Sequence, residues 1–238
     1  MAALGGRLMA IARGVESGQT MADIGADHGF LPLYLWEMGI CPKIIVTDIS
    51  RESLNKAKNA FINHIGAPGV DFRLGDGLSP LECGEVDVIV IAGMGGALMV
   101  RMLAADMKKA ASFSKYVMQP RNGAGKLRHW LDMAGFSIVS EELLAEGKFI
   151  CEIITAKPPK MLSALQPQII NLEDIRYEMP RKLKNGSGEL LARFVSNKLE
   201  IEKAILFEMI GGNYGGSDKI RIVESRIEFL EKQLEGEV

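Results

Sequence analysis

The sequence predicts an α/β fold of the nucleotide-binding kind over residues 1–157, followed by a small α-helical domain over residues 158–238. Three observations predict it. An apolar run (Met21, Ala22 and Ile24, with Asp23 among them) breaks at Gly25 and gives way to a helical stripe after Gly29. Further apolar runs of strand length follow, separated by helical stripes, as in a parallel sheet. Beyond Lys157-Pro158-Pro159-Lys160 this alternation stops and long helical stripes replace it.

Composition sets the outer limits. A chain of 238 residues with 47% hydrophobic side chains can bury a sizeable core. No apolar run approaches the roughly 20 residues of a membrane span. Arg7 and Arg13 interrupt any signal-peptide pattern in Met1 to Gly14. Cys41, Cys83 and Cys151 are far apart, with no Cys-x-x-Cys pair and no nearby histidine. That argues against a metal site and a disulfide framework, and fits a reducing cytoplasm. The net charge is −2, and neither the first 157 residues nor the remainder is basic overall. Sequence-independent clamping of a polyanion is therefore not expected; any nucleic-acid binding would be weak and salt-sensitive.

Leu4, Leu8, Ile11 and Ala12 form a short helical stripe that leaves Arg7 and Arg13 outside it. The first strand, Met21 to Ile24, enters the turn Gly25-Ala26-Asp27-His28-Gly29. Phe30 to Met38 is the following helix, with Pro32 in its first turn, where a missing N–H costs little. A dinucleotide fingerprint places glycine where this turn has Asp27, so that backbone can approach a pyrophosphate. Asp27 puts a side chain and a negative charge there. A cofactor without phosphate and with a cationic centre suits the loop better, and S-adenosylmethionine has both properties. Ile44 to Val46 is the second strand and runs into Thr47-Asp48-Ile49-Ser50. Asp48 stands 25 residues after Asp23, the position of a carboxylate that accepts hydrogen bonds from a ribose diol. Ser50 is expected to cap the next helix, whose stripe is Leu54, Ala57, Phe61 and Ile62.

Val70 to Leu74 alternates as a third strand, and Asp76 with Gly77 just after it can meet the amino edge of an adenine. Val86 to Ala92 is a nearly continuous apolar run, suited to a central strand buried on both faces. Gly93, Met94 and Gly95 follow, the glycines for close backbone approach and Met94 as a candidate wall. Tyr116 to Met118 is the fifth strand, ending in Gln119, Pro120, Arg121 and Asn122 at the same sheet edge. Ala124 to Met133 is helical, with Leu127, Trp130 and Leu131 on its inner face and Lys126 and Arg128 expected outside. His64 and His129 read as surface residues. Phe136 to Leu144 and Phe149 to Ala156 pair across Gly147 as a closing hairpin.

In the second domain, a helical segment is expected around Leu162 to Arg176 and a long helix over residues 187–210. After a glycine-rich turn, Ser217 is a candidate cap. Ile220, Val223, Ile227, Leu230 and Leu234 form a heptad seam, the pattern of a coiled-coil hairpin. This arm could hold a large substrate or form a dimer, and the sequence separates neither from the other; a monomer or weak homodimer is expected.

Several stretches together resemble the TrmK-like bacterial tRNA (adenine-22-N1)-methyltransferases. They are Met21 to His28 with Leu31-Pro32, Gly75 to Leu78, Ile91 to Gly96, Gln119-Pro120, and Arg128 with Trp130-Leu131. The Asn/Asp-Pro-Pro-aromatic tetrapeptide of general adenine methyltransferases is absent. The resemblance implies a class I Rossmann-like methyltransferase domain with strand order 3-2-1-4-5-7-6 and a coiled-coil domain behind it. It implies S-adenosylmethionine as cofactor, tRNA as partner, and neither metal nor membrane. Asp23, Gly25, His28, Gly29, Asp48, Ile49, Asp76, Gly77, Gly93, Met94 and Gly95 would bind the cofactor. Gln119, Arg121, Asn122 and a stacking Phe30 would meet the base. Adenine N1 is hidden in paired RNA, so the base must be swung out. Methylation makes the ring cationic, which gives Asp27 a catalytic role; the same carboxylate could instead hold the cofactor ammonium. An enzyme acting on another RNA or a small molecule is the alternative, as is a non-catalytic RNA- or cofactor-binding protein.

Overall fold

The computed structural model describes residues 4–62, 67–160, 174–183, 188–212 and 216–236. Seven strands form one sheet: β1 (Met21–Ile24), β2 (Ile44–Asp48), β3 (Val70–Leu74), β4 (Val88–Gly95), β5 (Lys115–Asn122), β6 (Ser137–Glu146) and β7 (Phe149–Lys157). Their order is β3-β2-β1-β4-β5-β7-β6, the order the resemblance implied. The first five strands are parallel, and β7 runs antiparallel to both β5 and β6.

The helices cover both faces, which is why the central strands are apolar throughout. Alternate residues of β4 divide between the faces. Val88 and Val90 pack with Ile11 of α1 (Gly6–Ala12), Leu35 of α2 (Phe30–Glu37) and Leu54 of α3 (Arg51–Ala60). Ile89 and Ile91 pack with Met99 and Leu103 of α4 (Gly96–Ala104), with Ala110 of the short α5 (Met107–Ala110), and with Leu127 and Leu131 of α6 (Ala124–Met133). Ser50 caps α3 as expected, its Oγ accepting the Ser53 N–H at 3.3 Å.

Several boundaries and exposures differ from the sequence reading. β4 and β5 run on through Gly93-Met94-Gly95 and Gln119 to Asn122, so these residues lie on strand ends rather than in loops. A register irregularity at Met94 accommodates them. Ile62 lies past the end of α3 and is exposed. Arg128, expected outside, is fully buried. Its Nε donates to Glu141 Oε1 and its Nη2 to Glu152 Oε2, both at 2.6 Å, and its Nη1 donates to the Tyr177 carbonyl at 3.2 Å. His129 is also buried, edge-on to the Tyr177 ring. Both side chains face a segment that returns from far along the chain, including a 3-10 turn at Ile175–Glu178.

The helical region contains α7 (Gly188–Gly211) and α8 (Ser217–Glu235), lying side by side through the ion pairs Arg226–Glu202 (2.6 Å) and Lys203–Glu231 (3.0 Å). Ser217 is the first residue of α8, and the cap position belongs to Gly216. The base of the arm joins the sheet through Leu143 of β6, which clusters with Ile175, Phe194, Val195, Leu199 and Leu230. The segment expected around Leu162 lies largely outside the described residues, as does His64. No described helix is long and apolar enough to cross a membrane.

Candidate active site

The strand order reverses at β1, which has β2 on one side and β4 on the other. In an open α/β sheet, the crevice beyond the carboxyl ends of such strands is the default ligand site. A cavity of about 280 Å³ lies there, lined by Asp23, Gly25, Asp27, His28, Phe30, Gly93 and Met94, and by Arg7 and Leu8 from α1. Seven residues singled out in the sequence therefore share one wall.

The loop geometry explains its composition. Gly25 has φ +71°, and a side chain there would collide with Met94 Cε. Met94 is thus the wall residue expected, and Gly25 leaves it room. Asp27 holds φ +46°, a left-handed conformation that aspartate tolerates better than most side chains. Its amide N–H donates to Asp48 Oδ2 at 3.4 Å, while Asp48 Oδ1 accepts the Ser50 N–H at 2.8 Å. Asp48 thereby ties the first loop to the second strand. Gly29 serves packing: a Cβ there would stand 3.0 Å from Ala57 of α3.

Asp23 is buried beneath this loop. Desolvation raises its carboxyl pKa to about 7, and the nearby Asp48 adds to the rise. Among the described residues no hydrogen bond to its carboxylate offsets the burial. His28 Nε2 lies 3.5 Å from Asp27 Oδ2, and the His28 ring stacks on Phe30 at 5.4 Å, nearly parallel.

A second cavity of about 470 Å³ shares Arg7 and Gly93 with the first and extends along Gln119, Pro120, Arg121, Glu146 and Phe149. Gln119 is buried; its Oε1 accepts from the Gly93 N–H and from Arg7 Nη1, each at 3.1 Å. Asp76 and Gly77 line a separate cavity of about 500 Å³ with Arg101 and Met102. They remain on the same sheet edge, because Gly75 donates its N–H to the Asp48 carbonyl. Ile49 is exposed, and Asn122 packs against Gly95 on the neighbouring strand. Among the described residues no cluster of ligating side chains could hold a metal ion.

Sequence reasoning missed Arg7, Glu146 and Phe149. In the sequence Arg7 reads only as the polar side of a short helix. Glu146 and Phe149 flank a hairpin turn more than a hundred residues away, and no local pattern links them to the loop after β1.

Residues 4–154 match the model of a methyltransferase domain family. The tRNA (adenine(22)-N(1))-methyltransferase of Bacillus subtilis is 32% identical over 151 residues, 63% of this chain and 63% of that enzyme's length. A provisionally named tRNA methyltransferase of Mycoplasma genitalium is 30% identical over 71% of this chain and 79% of its own. A Streptococcus pneumoniae protein, provisionally named a tRNA (m1A22) methyltransferase and solved with S-adenosyl-L-methionine, superposes with TM-score 0.75. It is 27% identical and the match covers 98% of this chain and all of that one. With the strand order, the family match over residues 4–154 and these relatives in agreement, the chain belongs to the TrmK-like family of class I Rossmann-like methyltransferases.

Proposed function

We propose that this protein transfers the methyl group of S-adenosylmethionine to N1 of adenine 22 of tRNA. The observation that carries the reading is Asp23: a carboxylate buried at the switch point, with no hydrogen-bond donor to it among the described residues, lining a cavity whose loop also carries Asp27. A buried anion of this kind fits a cationic ligand and repels a phosphate. S-adenosylmethionine meets the requirement, and the relatives support it. When bound, it supplies an electrophilic methyl group on a sulfonium centre.

The protein's own residues bind and orient. Asp23 receives the ammonium group. Asp48 accepts from the ribose hydroxyls; each of its oxygens already accepts one N–H and retains a further lone pair. Asp76 and Gly77 meet the adenine edge, and the ends of β4 at Gly93 to Gly95 lie beside the methionine portion. Adenine N1 attacks with its own in-plane lone pair, so no proton has to be removed and no general base is required. His28 accordingly orders the loop through Asp27 and Phe30. The swung-out base arrives neutral and becomes positive as N1 takes the methyl group, and Asp27 stabilises that charge. Most of the acceleration comes from holding the two reactants at attack distance. The side chains lining both adjoining cavities all come from residues 1–157.

Incubation with labelled S-adenosylmethionine and unmodified tRNA should place label in 1-methyladenosine at position 22. Label elsewhere, or none while cofactor still binds, would overturn the substrate assignment. Asp27→Asn should lower kcat about tenfold with cofactor affinity retained, as expected for loss of one half-exposed charge near the reacting ring. A weakened cofactor Kd with normal kcat at saturation would move Asp27 to the cofactor instead.

A further inference from the structure

We infer that the second cavity is the subsite for the target base, with Phe149 as its stacking platform and the Glu146 carboxylate as the group that selects adenine. The inference rests on the proposed tRNA-methylating function and deepens it. The cavity shares Gly93 and Arg7 with the cofactor cavity, so a base seated in it lies next to the transferable methyl.

Its walls have the chemistry of a nucleotide site. Phe149 is 66% exposed, at the first position of β7, where the hairpin tip overhangs the sheet edge. An exposed phenyl ring at a cavity rim is costly to leave in water and suited to stacking on a base. Phe30 is less available, because its ring already stacks on His28 and lines the cofactor side. Among the described residues, the Phe149 ring carries the Lys148 ammonium, 5.3 Å from its centroid, and no stacked aromatic ring. Arg121 lines this cavity and Lys148 sits over the Phe149 ring, and neither has an acidic partner among the described residues, so both cations are free to meet a nucleotide's phosphates.

Glu146 supplies selectivity. Its Oε2 lies 3.3 Å from Arg7 Nε and accepts the Cys151 thiol at 3.6 Å. Arg7 in turn bonds Gln119, which holds Gly93. The carboxylate is therefore oriented by a chain of contacts that ends at the cofactor cavity. A carboxylate accepts from the 6-amino group of adenine and is repelled by the 6-oxygen of guanine. It also lies close to the ring that becomes cationic. Arg7 acts here as a positioning residue.

The test uses the full-length protein and tRNA carrying either adenosine or purine riboside, which lacks the 6-amino group, at position 22. Phe149→Ala should raise KM for tRNA about tenfold, with cofactor Kd and Tm unchanged, and Phe149→Trp should restore most of the loss. Wild type should prefer adenosine over purine riboside by about tenfold or more, and Glu146→Gln should reduce that preference to within about threefold. Unchanged KM in Phe149→Ala, or an undiminished preference in Glu146→Gln, would overturn the inference. If wild type fails to methylate tRNA at all, the parent reading fails first, and that arm of the experiment reports it separately.

Discussion

Replacing Arg128 with alanine is expected to destabilise the protein by about 3–5 kcal/mol, the range for breaking a buried ion pair from one side. The guanidinium is fully enclosed and bridges Glu141 and Glu152, which are themselves nearly buried. Burial alone would lower the Arg128 pKa; the two carboxylates outweigh it and hold the pKa above its usual value. Alanine leaves Glu141 with a charge it cannot hydrate. Its other oxygen accepts the Arg181 and Lys182 N–H groups at 2.6 and 3.0 Å, so the loss extends to the segment carrying them. Arg128→Lys should recover little, because one ammonium cannot span two carboxylates and the Tyr177 carbonyl. Urea denaturation reads the effect as a fall in midpoint. A loss under about 1 kcal/mol would mean that water reaches the network.

Cofactor affinity is expected to fall as pH drops below about 7, approaching tenfold per pH unit, with roughly a hundredfold lost by pH 5. The expectation follows from the role proposed for Asp23, which has to be ionised to hold an ammonium group. In the unfolded chain this carboxyl titrates near its ordinary value of 3.8, and in the fold near 7. The folded state therefore keeps a proton that the unfolded state releases. The stability this provides is complete below about pH 4 and is lost as pH rises through 7, an effect of up to about 4 kcal/mol in the free protein. Bound cofactor reverses the balance by favouring the anion, so binding at pH 6.5 should release a proton. Calorimetry in buffers of different ionisation enthalpy measures that release. Asp23→Asn should stabilise the free protein near pH 7 and remove both the pH slope and most of the affinity. A variant that binds as well as wild type would remove Asp23 from the cofactor's contacts.

The sheet was legible in the sequence because its strands are short apolar runs and their turns carry their own glycines. The loop that lines the first cavity is legible for the same reason: Asp23, Gly25 and Asp27 follow one another, and Asp48 ends the adjacent strand. Arg128 was misplaced because periodicity marks the apolar face of a helix but cannot show that a polar face meets Glu141, Glu152 and a segment near residue 177. His129 was misread on the same face. The ends of β4 and β5 were cut short because glycine and proline normally punctuate strands, and here an irregular register carries them. Arg7, Glu146 and Phe149 meet only because α1 and the β6–β7 hairpin fold over one sheet edge.

The ribose role proposed for Asp48 and the role at the reacting ring or cofactor proposed for Asp27 share a hydrogen bond, because the carboxylate of one accepts the amide N–H of the other. A substitution at Asp48 that removes the side-chain acceptor also removes the hydrogen bond to the Asp27 amide. The two positions therefore behave as one thermodynamic unit. Losses measured singly will overlap, and a cycle of single and double variants will show a coupling energy comparable to either loss. The division of labour between them belongs to the loop as a whole.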